Sequence, residues 1–333
     1  MLDDDARREG FRQDEGRFTP ELMYSAASLY YLQDATQAEI AAQLGTSRTT
    51  VSRLLSEARR QGIVRIDVVS PITGNGTDLA ARTAAALGLR AVHLAPYTVR
   101  SVTAGALAPA LSAALAGMQL RPGDGLLVSS GRTVYEAAQA HLPNLPGVVV
   151  APTVGGLDEP EAWYQTNEIV RQIAAKIGGS PAFLYAPALP GPDLYERLVH
   201  DHSTRRVREL WRTARCAIVG VGAPPPLRTS MPTFVPADAV RTAVGDVCTR
   251  FFDHDGEPLQ FPGVEHLLAI GLDMLKKVPL TIAVAVGPEK VPGILAGARA
   301  GYFQELVTDL PTASALAVAV EAAAERRRTD ARP

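Results

Sequence analysis

The sequence is poor in cysteine, with only Cys216 and Cys248 in 333 residues, and this excludes a disulfide framework and points to a reducing compartment. Two isolated cysteines and six scattered histidines also leave no thiol or metal cluster to assemble. No long apolar run exists. The longest, such as residues 280–286, have the length of core strands and are too short to span a bilayer. Residues 1–17 are charged and carry no apolar stretch of signal-peptide type. No excess of either charge is present: 33 Lys and Arg against 35 Asp and Glu give −2, so any nucleic-acid contact must come from a local patch. Internal repeats and low-complexity tracts are absent. These absences predict a soluble cytoplasmic protein with no membrane partner. What is present, 47% hydrophobic and 20% charged residues, suffices for a real core.

The length suggests two domains, and the pattern divides them. Residues 1–18 read as a polar leader, and 19–69 carry helical periodicity. The run SPITGNGT, residues 70–77, has a proline and two glycines and reads as a linker. Residues 78–326 alternate short β-type runs with Ala/Leu-rich helical runs, and 327–333 form a tail. Candidate strands are 91–95, 125–129, 148–151, 182–186, 217–221, 266–270, 280–286 and 305–308; candidate helices include 103–115, 133–141, 165–177 and 288–300. Continuously apolar strands flanked by helices imply a mostly parallel sheet covered on both faces. The expected class is therefore α/β, a small helical domain followed by a doubly wound sheet. Such sheets take ligands beyond the carboxyl ends of their strands.

The stretch TQAEIAAQLGTSRTTVSRLL, residues 36–55, carries the sharpest local signal. Thr36 and Glu39 are spaced for a capping box. Ile40 and Leu44 lie one turn apart, Ala41 permits close helix crossing, Gly45 supplies positive φ for a turn, and Ser47 caps the next helix. Val51, Leu54 and Leu55 then face the same small core. This is helix-turn-helix spacing, with residues 47–61 as recognition helix. Gln37, Ser47, Arg48, Thr49, Thr50, Ser52 and Arg53 are the candidate DNA-contacting residues, arginine for guanine edges and the hydroxyls for bases or phosphates. From Thr36 to Arg65, five arginines stand against Glu39 and Glu57, a local charge of +3. Gly62 ends the helix, and alternation over 63–69 predicts a wing strand. Residues 20–33 predict a third helix beneath the hairpin.

In the second domain, SGRTVYE (130–136) follows a strand and opens a helix, where backbone amides and hydroxyls suit an anion. The order of further segments is more specific: APTVGGL (151–157), QTNEIV (165–170), AIVGVG (217–222), VGDVCTRFFDHDG (244–256), VGPEKVPGI (286–294) and LVTDLPTA (306–313). With the helix-turn-helix, this series resembles the SorC/DeoR family of sugar-responsive bacterial regulators from about Pro20 to Ala324. The resemblance implies a domain with the fold of sugar-phosphate isomerases and CoA transferases. It further implies a tetramer on operator DNA and a small, phosphorylated sugar as effector. Carried over by position, the implied effector site holds Gly131, Arg132, Thr133, Gln165, Asn167, Asp246, Arg250, Glu289 and Lys290. Arg132 stands where many members of the family have a small residue, and Pro288 where a second small residue or an acid is usual. The loop 153–156 has no lysine for a Schiff base, so non-covalent binding is expected, with no cofactor.

Plainer roles remain open at this stage. Arg132 and Lys290 suit a solvated surface, Asp246 and Arg250 an internal ion pair, and Glu289 the first turn of a helix. Asn167 suits a helix start, and His254 and His266 ordinary polar positions. An alternative function is a sugar-phosphate isomerase with a DNA-binding appendage, which needs a carboxylate base beside the substrate. Asp246 is the best-placed candidate, and the acid-rich loop such enzymes use is absent, since Asp253–Gly256 reads as a turn. A third reading is an assembly module whose helical hairpin makes only protein contacts.

Overall fold

Three hydroxyls start the three N-terminal helices by accepting first-turn amides that would otherwise lack partners. Thr19 Oγ1 accepts from Leu22 N at 3.3 Å ahead of α1 (Pro20–Leu32). Thr36 Oγ1 accepts from Glu39 N at 3.3 Å while the Glu39 carboxylate accepts from Thr36 N at 2.8 Å, so α2 (Gln37–Gln43) opens with the expected capping box. Ser47 Oγ accepts from Thr50 N at 3.1 Å ahead of α3 (Arg48–Arg60). At the end of α2, Gly45 at φ 60° lets Thr46 N return to Ala41 O at 2.9 Å, the left-handed closure that frees the chain to turn. Met23, Ala26, Ile40, Ala41, Val51, Leu54, Leu55 and Ala58 form the shared core.

In this computed structural model residues 18–64, 73–95, 104–139, 141–228 and 231–330 are described. The chain forms two units, Met1–Val69 and Ser70–Pro333. The expected leader lies, but for Phe18, outside the described residues, as do residues 65–69 of the expected wing. Ile63 and Val64 pack against the helical core, with Val64 N on Ala58 O at 3.1 Å.

The second unit runs α4 (Thr73–Leu87), β1 (Ala91–Leu94), α5 (Ala108–Gly117), β2 (Gly125–Val128), α6 (Arg132–Gln139), β3 (Val149–Pro152), α7 (Thr166–Ile177) and β4 (Ser180–Pro181). It continues through α8 (Pro192–His200), α9 (His202–Thr213), β5 (Cys216–Gly220), β6 (Gly245–Val247), β7 (Arg250–Phe252), α10 (Leu272–Leu275), β8 (Leu280–Val284), α11 (Val291–Arg299), β9 (Glu305–Thr308) and α12 (Leu310–Asp330). Seven strands form one sheet in the order β1-β9-β8-β5-β2-β3-β4, every pair parallel, while β6 and β7 make a separate antiparallel hairpin.

Side-chain alternation builds a core on each face. Leu127, Ala217, Val219, Ala283 and Leu306 point to the face covered by α4, α9, α11 and α12. Leu126, Val128, Ile218, Ile282 and Val307 point to the face covered by α5, α6 and α7. A third cluster, with Val154, Leu157, Val240, Phe251 and Phe261, gathers in the loops that follow the strands. The order of winding reverses between β2 and β5, with β3 and β4 added on one side and β8 and β9 on the other, which opens the crevice where doubly wound folds take ligands. Ile282 is fully buried in β8. Ile282→Ala is expected to lower the stability of this unit by about 2–5 kcal/mol, read from the urea midpoint.

Several expected boundaries are corrected. Residues 73–77 of the expected linker belong to α4, because the face with Leu79, Thr83, Ala84 and Leu87 buries against the sheet and carries the helix through its glycines. The expected tail, 327–333, is helical through Asp330, since no proline or glycine interrupts the run that α12 continues. Residues 266–270 are not a strand. The carbonyls of Val264, Leu267 and Ala269 turn instead to the Arg250 guanidinium at 3.2–3.3 Å. Residues 182–186 likewise lie beyond the short strand β4. Leu184 presents its N–H and C=O to the Asn167 side chain, each at 3.1 Å, where a strand partner would otherwise stand.

Candidate functional site

The outward face of α3 follows from its burial. Val51, Leu54, Leu55 and Ala58 face the core, which leaves Arg48, Thr49, Ser52 and Arg53 exposed and Thr50 half-buried. Ser47 Oγ also meets the hydroxyls of Thr49 and Thr50 at 3.1 and 2.8 Å, so the cap fixes the rotamers of the first turn. Gln37 stands half-buried at the first position of α2. Toward the C-terminus Arg60 is taken by Glu57, whose carboxyl it holds down at about 2, and Arg59 reaches Ser56 Oγ at 3.4 Å. Among the described residues neither Arg48 nor Arg53 has an acidic partner within ion-pair distance. The helix therefore presents two uncommitted guanidinium groups from its N-terminal half, the part that enters a major groove.

In the second unit a cavity of about 460 Å³ opens beyond the carboxyl ends of three neighbouring strands. β2 contributes Ser130, Gly131, Arg132 and Thr133; β5 contributes Gly220 to Ala223; β8 contributes Val286, Glu289 and Lys290. The strand ends are tied together. Ser129 Oγ accepts from Gly220 N at 2.9 Å, and Thr312 Oγ1 accepts from Gly287 N at 2.9 Å. Gly131, at φ 124°, turns the chain into α6 and donates its N–H to Trp163 O at 2.8 Å. Lys290 Nζ reaches toward Thr133 Oγ1 at 3.5 Å, so the ammonium and the start of α6 converge. Burial pushes the Lys290 ammonium below its ordinary value, and neighbouring Glu289 only partly offsets this. A half-buried ammonium at a helix N-terminus is a strong place for an anion.

The rest of the wall was not legible in the sequence. Arg228 pairs with Asp246, and its guanidinium lies 5.3 Å from the centre of the Phe251 ring. Asp246 Oδ2 also accepts from Thr249 N at 3.2 Å. The Arg132 guanidinium stacks 4.2 Å from the centre of Trp163, which gives the cavity an aromatic side. Cys248 and Thr249, the two central residues of the β6–β7 turn, have φ of 54° and 63°. Such hairpin turns normally take Asn-Gly, and a left-handed non-glycine residue costs about 1–2 kcal/mol. The strain places both side chains in the cavity lining. Burial pushes the Cys248 thiol up to about 12, so it is neutral and unreactive there. Arg228 and Trp163 escaped sequence reading because each comes from an irregular loop; an arginine facing a glycine-flanked strand end was the one available cue.

Gly222 lies directly against this pair. A methyl built on it would collide with both the Arg228 guanidinium and the Asp246 carboxylate. Gly222→Ala should therefore push the pair apart and lower by tenfold or more, about 1.4 kcal/mol, the affinity of any ligand that the cavity takes, with operator affinity of the ligand-free protein unchanged. Titration calorimetry and a gel-shift on the same preparation check this.

Gly131, Arg132, Thr133, Asp246, Glu289 and Lys290 thus line one cavity. The other three expected residues do not. Gln165 Nε2 donates to Glu159 O at 2.7 Å, and Asn167 is engaged with Leu184; both border a separate depression beside Phe183 and Tyr185. Arg250 is committed to three backbone carbonyls, so it fastens the hairpin to the 264–269 loop rather than pairing with Asp246.

A helix-turn-helix with a free basic face and an α/β domain with a polar crevice together have the form of a ligand-responsive DNA-binding regulator. Comparison with known proteins agrees. Residues 72–317 match the family "Putative sugar-binding domain", and residues 25–73 match the Crp-like helix-turn-helix domain. The chain is similar to the sorbitol operon regulator of Klebsiella pneumoniae (30% identity over 89% of this chain and 97% of that one). It is similar to the deoxyribonucleoside regulator of Bacillus subtilis to the same extent, 30% over 89% and 97%. Among solved structures, full-length SorC from Klebsiella pneumoniae superposes with a TM-score of 0.71 at 29% identity, covering 89% of this chain and 98% of that one. The chain belongs to the SorC/DeoR family of sugar-binding transcriptional regulators. No helix of the described residues is long and apolar enough to cross a membrane.

Proposed function

We propose that this regulator is controlled by a phosphorylated sugar bound non-covalently in the crevice between β2, β5 and β8. The observation that carries the reading is the convergence of Lys290 on Thr133 at the start of α6, with Arg132 beside it. The phosphate would lie there, taking the ammonium, the Thr133 hydroxyl and the free amides of the first turn. The sugar would extend toward Asp246, whose carboxylate accepts hydroxyl hydrogen bonds, with Trp163 against its apolar face. Glu289 caps the approach to Lys290, and Gly131 gives the turn its shape. Gln37, Ser47, Arg48, Thr49, Thr50, Ser52 and Arg53 would contact operator DNA, and the protein would act in the cytoplasm as a homo-oligomer, a tetramer in this reading.

Effector binding shifts the population of DNA-competent molecules only if it favours one state over the other. Turnover is not part of the reading. The Asp246 carboxylate is held by Arg228 and Thr249 N, which suits a fixed acceptor better than a general base. The test is a thermal-shift screen of sugar phosphates against the unphosphorylated sugars, with footprinting on the upstream DNA. Stabilisation by a phosphorylated sugar alone supports the reading. Equal stabilisation by the free sugar would refute the phosphate, and consumption of the sugar phosphate would favour the isomerase.

A further inference from the structure

The DNA-binding unit is short of positive charge. Residues 1–69 contain nine arginines and no lysine against eleven Asp and Glu. On α3 itself Arg60 is neutralised by Glu57, which leaves Arg48, Arg53 and Arg59 for phosphates. Duplex affinity depends heavily on how many phosphates a protein neutralises, so a chain of this kind gains from cations elsewhere.

They occur on α9. Residues 202–215 hold five arginines against one glutamate. The inner face of α9 is fixed by buried Thr204, Val207 and Trp211, with Trp211 Nε1 donating to Pro152 O at 2.7 Å. That anchoring turns the arginines outward: Arg205, Arg206, Arg212 and Arg215 are exposed and Arg208 is half-buried. The nearby acids are already committed. Glu209 pairs with Arg212 at 3.2 Å, and Asp201 accepts from Ser203 N and Thr204 N at 2.8 and 3.0 Å as the cap of α9. Among the described residues Arg205, Arg206 and Arg208 have no acid within ion-pair distance. Arg205 and Arg208, and Arg208 and Arg212, lie three and four residues apart, spacings at which like charges repel. Of these, only Arg212 has an acid among the described residues to relieve this, Glu209. These arginines border a shallow depression of about 470 Å³, wide enough for phosphate groups and their water.

We infer that the outer face of α9 is a second, sequence-independent DNA contact that takes duplex phosphates on Arg205, Arg206 and Arg208. Guanidinium groups on a rigid helix suit this, because each can grip a phosphate with two parallel N–H donors. Its contribution is to affinity and not to sequence, so it acts equally on operator and on random duplex. The inference rests on the DNA-binding reading of α3, and the experiment separates the two.

Full-length R205S/R206S/R208S is compared with the unaltered chain on the operator and on a random-sequence duplex, across a salt series. The three sites are exposed or half-buried on an anchored helix, so folding is preserved; an unchanged circular dichroism spectrum and melting temperature verify it. The plot of log affinity against log salt is expected to flatten by up to about 2.7, roughly 0.9 for each phosphate no longer neutralised, on both duplexes. R205K/R206K/R208K should restore most of the slope. An unchanged slope in the serine variant overturns the inference. So does a change in sedimentation with DNA absent, which would assign the face to contact between copies of the chain. If R48A/R53A abolishes operator footprinting yet keeps the α9-dependent binding to random duplex, the second contact stands apart from the first. If the unaltered chain binds neither duplex, the DNA reading and this inference both fall.

Discussion

Lys290→Met is expected to weaken binding of a phosphorylated effector by about 2–4 kcal/mol, roughly thirty- to a thousandfold, and to leave operator binding intact. The size follows from the site. Lys290 brings the ammonium to Thr133 and the start of α6, and an anion there without it would keep only the helix amides and Arg132. The methionine keeps length and apolar contact, so the loss reports charge rather than packing. Burial pushes the ammonium down in the free protein, so removing it should leave the melting temperature of the effector-free protein unchanged or higher.

The same burial gives the site a pH signature whose sign is fixed. The folded, effector-free protein holds the Lys290 proton less tightly than an unfolded chain, whose value is 10.5. In the window between the depressed value and 10.5 the unfolded state binds more protons, so stability of the effector-free protein rises with pH there. A bound phosphate draws the proton back. Effector affinity should therefore fall as pH rises through that window, and the fall should be missing in Lys290→Met. Calorimetry in buffers of different ionisation enthalpy would count the proton directly. An alkaline fall of equal size in the variant would assign the proton to another group.

The DNA-binding unit was legible because its information is local. Thr36 with Glu39, Gly45 and Ser47 act over a few residues, and the structure finds the capping box, the left-handed turn and the cap at those positions. The parallel sheet was legible for a related reason: buried strands such as Gly125–Val128 carry no polar side chain and are covered on both faces. Failures came where a side chain replaced a strand partner. Asn167 serves Leu184, and Arg250 serves three carbonyls of the 264–269 loop; both were expected at the ligand by position in the resembled family, and their real partners are distant in sequence. The β6–β7 hairpin was invisible for the opposite reason. Its turn residues, Cys248 and Thr249, adopt a conformation that their types disfavour, and only the tertiary setting of the cavity holds them there. The pairing of Arg228 with Asp246 spans loops whose approach no periodicity encodes.

The second large effect belongs to α3. Arg48→Ala with Arg53→Ala should reduce operator affinity by about 2–6 kcal/mol if both guanidinium groups read base edges, each bidentate contact discriminating by about 1–3 kcal/mol. If they serve phosphates instead, the loss is smaller, but the salt slope drops by about 0.9 for each. Competition with random duplex separates the cases, since base contacts lower the specificity ratio and phosphate contacts lower both affinities together. Neither residue bears on folding: both are exposed, neither has an acidic partner among the described residues, and the Ser47 cap does not involve them. Stability should stay within about 0.5 kcal/mol of the unaltered protein. Effector affinity in the absence of DNA should also be unchanged, because the cavity is built wholly from the second unit. With operator present, reciprocity requires that whatever the effector does to DNA affinity, DNA does to effector affinity by the same factor. The double variant should lose that coupling at concentrations where it no longer binds operator. A double variant that lost effector binding without DNA would mean that the two units do not divide the work between them.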